Sequence, residues 1–86
     1  MKQKFKNNQI QVGDEVRLLE HTEYESSASN PRMGSKYECV GTVSEIEDPD
    51  GNGYPHVIHV QWKNGEYNTY CNGDLEVVST GFISIW

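Results

Sequence analysis

The 86-residue chain has no long apolar run, no paired cysteine motif and no cleavable leader pattern. A membrane-spanning helix needs about 20 apolar residues, and the basic start lacks the apolar segment of a signal peptide. Cys39 and Cys71 have no metal-ligand spacing, so we expect free thiols; a disulfide would require Cα atoms within about 7 Å. These absences predict a cytoplasmic protein that does not bind membranes.

Signatures of catalysis are also missing. The chain has no G-x-S-x-G segment, no phosphate-binding glycine loop and no C-x-x-C pair. His56 and His59 are three residues apart, so on one strand they would face opposite sides of a sheet. We predict surface histidines without a metal, and a solvated hairpin rim explains the acidic run at residues 45–50. The sequence therefore predicts no enzyme, no cofactor and no catalytic residue.

Positive charge is scarce beyond the first residues. Lys2, Lys4 and Lys6 lie in the first six positions, and the formal net charge of the whole chain is −6. From residue 9 onward, four basic residues stand against all 13 acidic residues, a net charge of −9. An acidic body repels phosphate backbones, so we do not expect direct nucleic-acid binding, whereas a basic protein or peptide would be a suitable partner. Solubility alone is the simpler explanation of the charge.

Short alternating runs between turn residues predict an all-β fold, because no segment carries a helical apolar stripe. In one run Ile58, Val60 and Trp62 share a face, and Asn64-Gly65 after it predicts a type I′ hairpin. We expect a flexible basic tail at 1–9, a small β-barrel domain at 10–79 and an apolar extension at 80–86. The predicted strands are 14–20, 37–47, 56–62, 66–72 and 75–79.

A long polar segment, residues 21–36, separates the first two predicted strands. Loops of this length in compact domains are often functional. Tyrosine and glutamate beside a barrel groove can hold basic or proline-rich peptides, although a tyrosine lying flat on the barrel wall is the competing interpretation for each position. The predicted partner-binding residues are Glu20, Glu23, Tyr24, Glu25, Tyr54 and Tyr67.

The segment DPDGNGYPH at 48–56 is similar to the start of an EF-hand calcium loop. An EF-hand requires a bidentate glutamate at position 12, but counting from Asp48 this position is His59. Imidazole is a poor ligand for a hard cation, and both flanks alternate as strands rather than helices. We predict the loop of a hairpin, with a weak calcium contact through Glu47, Asp48 and Asp50 as the alternative.

An ordered series of short motifs runs through residues 13–78: GTV at 41–43, VQWKNG at 60–65, Asn68 and Tyr70, then DL at 74–75. This series resembles the mind-bomb-type domain, which occurs in large ubiquitin ligases and recognises protein partners there. The resemblance implies a small, five-stranded Src-homology-3-like barrel. The family's Trp- and Gly-rich segment is missing from residues 21–36, so partner identity does not carry over. The chain looks like a stand-alone, phage-encoded relative of this interaction module.

Three functions follow from these patterns. The favoured one is a non-catalytic protein-interaction module that binds through the long loop and the barrel face. The alternative is an acidic inhibitor or nucleic-acid mimic acting on a nucleic-acid-binding host protein. A structural role, with residues 80–86 adding a strand to a neighbour or to a second copy, is the third hypothesis.

Overall fold

The computed structural model describes residues 10–51 and 57–80 of the chain. The elements are β1 (Glu15–Leu18), β2 (Gly41–Glu47), β3 (Val57–Trp62), β4 (Tyr67–Tyr70), η1 (Asn72–Asp74) and β5 (Leu75–Ser79). The five strands form one antiparallel sheet in the order β4-β3-β2-β1-β5, and η1, a single turn of 3-10 helix, connects β4 to β5. The all-β prediction is confirmed, whereas the predicted tail at 1–9 and residues 81–86 lie outside the described part.

Three predicted strands are longer than the observed ones. The fourth, predicted at 66–72, is limited to Tyr67–Tyr70, because Asn72 already belongs to η1. Residues 37–40 are not part of β2: the N–H of Glu38 closes a turn on the carbonyl of Ser35, and the strand begins only at Gly41.

The first strand ends at Leu18: the N–H of Leu19 still donates to the carbonyl of Asp74, which lies opposite it in the β1–β5 register, and the chain turns from Glu20 onward. The connection between β1 and β2 therefore covers residues 19–40, which we call the anchored loop.

One face of the sheet forms the core, and period-2 alternation decides which side chains enter it. In β3, Ile58, Val60 and Trp62 are buried, as their spacing predicts. Trp62 and Tyr70 are the largest fully buried side chains, with ring centroids 5.8 Å apart in an edge-to-face arrangement. Burial of each large apolar side chain stabilises the fold by about 1.5–3 kcal/mol before entropy is counted.

The turn between β3 and β4 differs from the predicted type I′ turn. It is a three-residue loop in which the N–H of Gly65 donates to the carbonyl of Trp62 and the N–H of Trp62 donates to the carbonyl of Glu66. A type I′ turn needs positive φ at both central residues, but here Gly65 has φ 96° and no described non-glycine residue has a positive φ. The side chain of Asn64 bonds to Glu66 and to the anchored loop instead, which favours this geometry.

The length of the β4–β5 link requires the sheet to curl. A flat sheet of five strands would separate its edges by about 19 Å, since neighbouring strands lie about 4.8 Å apart. Residues 71–74, which include η1, link the edge strands β4 and β5, and such a link spans at most about 15 Å. The edges must therefore approach each other around the core. Within the described residues no ladder joins β4 to β5, so the sheet is not closed.

No helix among the described residues has both the length and the apolar character needed to cross a lipid bilayer.

Candidate functional site

The anchored loop is fastened to the β3–β4 hairpin by side-chain hydrogen bonds. Asn68 Nδ2 donates to the carbonyl of Ser29 at 3.3 Å and to Asn30 Oδ1 at 3.0 Å. The hydroxyl of Tyr70 lies 2.8 Å from each of the same two acceptors, and it accepts the indole N–H of Trp62 at 3.1 Å. The loop is thus tied directly to the largest side chains of the core.

Within the loop, the side chain of Arg32 supplies hydrogen bonds of the kind that a β-ladder would supply in a regular strand. Its Nη1 donates to the carbonyls of Glu20 at 2.9 Å and Thr22 at 3.3 Å, and its Nε donates to Ser26 Oγ at 3.3 Å. A guanidinium group presents several donors in a fixed plane, so one side chain can hold three acceptors of an irregular segment. The cation is therefore used inside the loop, while the carboxylate of Glu20 stays on the exposed rim.

Tyr24 fastens the loop at a second place. Its ring meets the ring of Tyr70 edge-on, with centroids 5.2 Å apart and planes at 88°, and its hydroxyl donates to Asp74 Oδ2 at 2.9 Å. Burial, together with the hydrogen bond to Asp74, raises the pKa of Tyr24 above its ordinary value. The same Asp74 oxygen accepts the N–H of Cys71 at 3.0 Å. Tyr24 therefore lies half-buried against the sheet and links the loop to η1.

The acidic residues predicted to bind a partner remain on the outside of this anchored segment. Glu20, Glu23 and Glu25 are all exposed. Glu23 and Tyr24 line a cleft of about 300 Å³ together with Cys71 and Asp74, whereas Glu20 lines a separate cleft beside Arg32. The structure thus spreads these three carboxylates along the exposed side of the loop instead of gathering them in one pocket. We call this surface, formed by Glu20, Glu23 and Glu25, the loop rim.

The two remaining predicted residues do not join that rim in the described structure. Tyr54 lies outside the described residues. Tyr67 is 50% exposed on β4, and its hydroxyl contacts His59 Nδ1 on the outer face of the sheet. Tyr67 therefore belongs to a different surface from the loop carboxylates.

That outer face holds a cluster of Glu45, Glu47 and His59 that the sequence analysis missed. Their ligating atoms all lie within 4.8 Å of one another, and His59 Nε2 is 2.8 Å from Glu47 Oε2. The alternation in Glu45-Ile46-Glu47 and in residues 57–60 predicts that Glu45, Glu47 and His59 face solvent. That alternation is the signal in the sequence that could have identified the cluster. The pairing of Glu45 with His59, however, depends on a register shift between Val43 and Glu45 that local sequence does not reveal.

Most cations of the described part are already engaged. Arg17 Nε lies 3.5 Å from a carboxylate oxygen of Glu38, and Lys63 Nζ lies 3.7 Å from one of Glu15. Arg32 is used inside the loop, as described above. Lys36, the fourth cation of the described part, lies over the ring of Tyr37. Glu20, Glu23 and Glu25 on the loop, and Glu45 on the outer face, therefore have no lysine or arginine within ion-pair distance among the described residues.

The segment similar to a calcium loop is a turn over the residues that the structure describes. The N–H of Gly51 donates to the carbonyl of Asp48 at 2.9 Å, and Gly51 has φ 66°. The predicted turn is thus confirmed for 48–51, while 52–56 lie outside the described part. Glu47, one of the candidate calcium ligands, is bonded to His59. Cys39 and Cys71 are not joined in a disulfide, as predicted.

Comparisons with protein-family models, with curated proteins and with solved structures find no match for this chain. The resemblance to the mind-bomb-type domain therefore stays a prediction from its motifs.

Proposed function

We propose that this protein is a non-catalytic interaction module that binds a basic segment of a partner protein, with the rim of the anchored loop as its main contact surface. One observation carries the proposal: the loop is tied to the core at Tyr70 and to η1 at Asp74, while its carboxylates stay exposed. A surface that is already ordered loses little conformational entropy on binding. The anchored rim therefore suits recognition better than a mobile acidic loop would.

The charge distribution selects the class of partner. In the described part of the chain, none of Glu20, Glu23 and Glu25 forms an ion pair with a lysine or arginine. Uncompensated carboxylates attract a lysine- or arginine-rich segment and speed its association, and salt weakens this attraction. Tyr24 adds an aromatic edge beside Glu23, which can contact the aliphatic part of a basic side chain.

We further infer that the curled sheet is a Src-homology-3-like barrel, as the mind-bomb-type resemblance implies. The strand order and the short β4–β5 link support this inference, because both bring the sheet edges together around one core. A stand-alone barrel of this kind, working in the cytoplasm, would act by binding alone. The motif series is the only support for the family itself.

A residue-resolved titration tests the main proposal. Amide NMR shifts of the full chain are followed while a lysine/arginine-rich peptide is added, with a matched peptide carrying glutamine at the basic positions. We expect shifts at the anchored loop with the basic peptide only. Neutralising Glu20, Glu23 and Glu25 together to glutamine should weaken binding about tenfold, since each exposed charge contributes about 0.5 kcal/mol.

Glu76→Gln is the matched control, because Glu76 is an exposed carboxylate on β5 that lines neither of the two clefts holding Glu20 and Glu23. It should change the affinity little. Equal binding of both peptides, or equal losses in the loop and control variants, would contradict the loop surface.

An acidic mimic of nucleic acid is the second candidate, because uncompensated carboxylates lie on both the loop rim and the outer sheet face. This function predicts that a nucleic-acid-binding partner captured from the native lysate loses its DNA when the protein is added. Neutralising either surface should then weaken the competition. A captured partner that binds this protein and DNA simultaneously would exclude the mimic.

A further inference from the structure

We propose that Glu45, Glu47 and His59 form a binding site for a divalent transition-metal ion, with Zn²⁺ as the best-matched ion. The three side chains offer two carboxylates and one imidazole, and their ligating atoms all lie within 4.8 Å of one another. The site lies on the outer face of the β2–β3 pair and is separate from the anchored loop. It goes beyond the proposed partner binding.

A β-bulge at Ser44 creates this arrangement. Val43 pairs with Val60, but the next registered pair is Glu45 with His59, so Ser44 is an extra residue in β2. If the ladder continued regularly from the Val43–Val60 pair, Ser44 would oppose His59, and Glu45 would oppose Ile58 and face the core. The bulge leaves both Ser44 and Glu45 exposed and returns Ile46 to the core side. Bulges re-aim side chains in this way next to functional sites.

The donor set decides which ion fits. Imidazole nitrogen is a good ligand for zinc and related transition metals, and carboxylate oxygen completes such sites. Ca²⁺ prefers six to eight oxygen donors, which three side chains including an imidazole cannot supply. Three protein ligands leave one tetrahedral position of Zn²⁺ for water or for a group from a partner.

The distances require only small side-chain movements. In tetrahedral zinc sites with metal–ligand bonds near 2.0–2.2 Å, neighbouring ligand atoms lie about 3.3 Å apart. His59 Nε2 and Glu47 Oε2, now 2.8 Å apart, would separate slightly around the ion. Glu45 is exposed and has three rotatable side-chain bonds, so its carboxylate can move inward while the strand backbone stays in place.

Tyr67 acts as a positioning residue for this site. Its hydroxyl contacts His59 Nδ1, which leaves Nε2 on the side of the glutamates. Metal-binding histidines commonly use their second ring nitrogen for such an orienting contact. The side chain of His59 is only 16% exposed, so its ring direction is constrained.

The test is titration of the full chain with ZnCl₂, followed by isothermal calorimetry and by residue-resolved NMR. We expect one equivalent of Zn²⁺ to bind, with the largest shifts at Glu45, Glu47 and His59. His59→Ala, or Glu45→Gln combined with Glu47→Gln, should weaken binding at least tenfold. Tyr67→Phe should weaken it by up to about tenfold, the lower end of the usual effect of an outer-shell contact.

His21→Ala is the control, because His21 is an exposed histidine in the anchored loop. It should leave zinc binding unchanged, and amide spectra of the ion-free variants should confirm that each is folded. The proposal is overturned if ZnCl₂ produces neither heat nor amide shifts, if the shifts centre on the thiols of Cys39 and Cys71, or if MgCl₂ and CaCl₂ bind equally well.

Discussion

The buried hydroxyl of Tyr70 gives the most direct test of how the core holds the anchored loop. Tyr70→Phe keeps the aromatic ring and its edge-on contacts, and removes one oxygen. Trp62 Nε1, which donates to that oxygen at 3.1 Å, would lose its acceptor although Trp62 is only 1% exposed. Leaving a buried donor unpaired costs about 1–3 kcal/mol.

The loop acceptors would lose less, because Asn68 Nδ2 still donates to both Ser29 and Asn30. We therefore expect the free energy of unfolding to fall by about 2 kcal/mol, and the melting temperature by about 8–16 °C for a domain of this size. Urea and thermal unfolding followed by tryptophan fluorescence measure both quantities. Hydrogen exchange should also become faster at the amides of Asn30 and Arg32, which bond within the loop.

Tyr67→Phe is the matched control, since it removes the same atom from a half-exposed ring on the same strand. We expect it to change the free energy of unfolding by about 0.5 kcal/mol or less. Equal losses in the two variants would refute the view that the Tyr70 hydroxyl joins the core to the loop.

Three further predictions concern packing, the η1 turn and pH. In Gly41→Ala the new Cβ would lie 2.4 Å from Val60 Cγ1, so we expect a loss of about 2–3 kcal/mol in thermal unfolding. The new Cβ would also lie 2.5 Å from Trp62 Cε3, so combining the change with Val60→Ala relieves only one of the two contacts and should cost somewhat less than the sum of the single changes. Losses that add fully would show that Val60 does not resist the new methyl group. Asp74→Ala removes the acceptor shared by the loop and η1 and should cost about 1–2 kcal/mol in urea unfolding, whereas exposed Glu76→Ala should cost little; similar costs would contradict this role. Burial raises the pKa of Tyr70 to about 12, while an unfolded phenol titrates near 10. As the pH rises, the unfolded chain therefore loses the Tyr70 proton before the folded chain does. The free energy of unfolding should be unaffected by this group below about pH 10, and should fall by up to about 1.4 kcal/mol per pH unit between about pH 10 and pH 12. Tyr70→Phe should make this decline shallower in urea titrations across that range, and an unchanged slope would assign the decline to other groups.

Period-2 alternation was a sound guide to the strands and the core. The spacing of Ile58, Val60 and Trp62 predicted their shared burial. A strand with one buried face must alternate, so this information is local and readable. The bounds of β5 at 75–79 were predicted from the turn residues before it, which are also a local signal.

Features that depend on distant partners could not be predicted in this way. Arg32 holds backbone carbonyls of its own loop, and Asn68 reaches Asn30 across 38 positions of the chain. Asn64 is another example, because its bond to the loop accompanies a different turn from the one that Asn-Gly usually forms. The pairing of Glu45 with His59 depends on one extra residue in β2, which a local pattern does not encode.

The anchoring of the loop also sets an order of events during folding. The β3–β4 hairpin closes over a short turn and can form early, since local contacts carry little loop-closure entropy. The acceptors of Ser29 and Asn30 bond to Asn68 and Tyr70 across 38 to 41 positions. Before the hairpin forms, these acceptors bond only to water. We therefore expect the loop to dock late, and a chain halted before this step would already have much of its sheet but not its acidic rim.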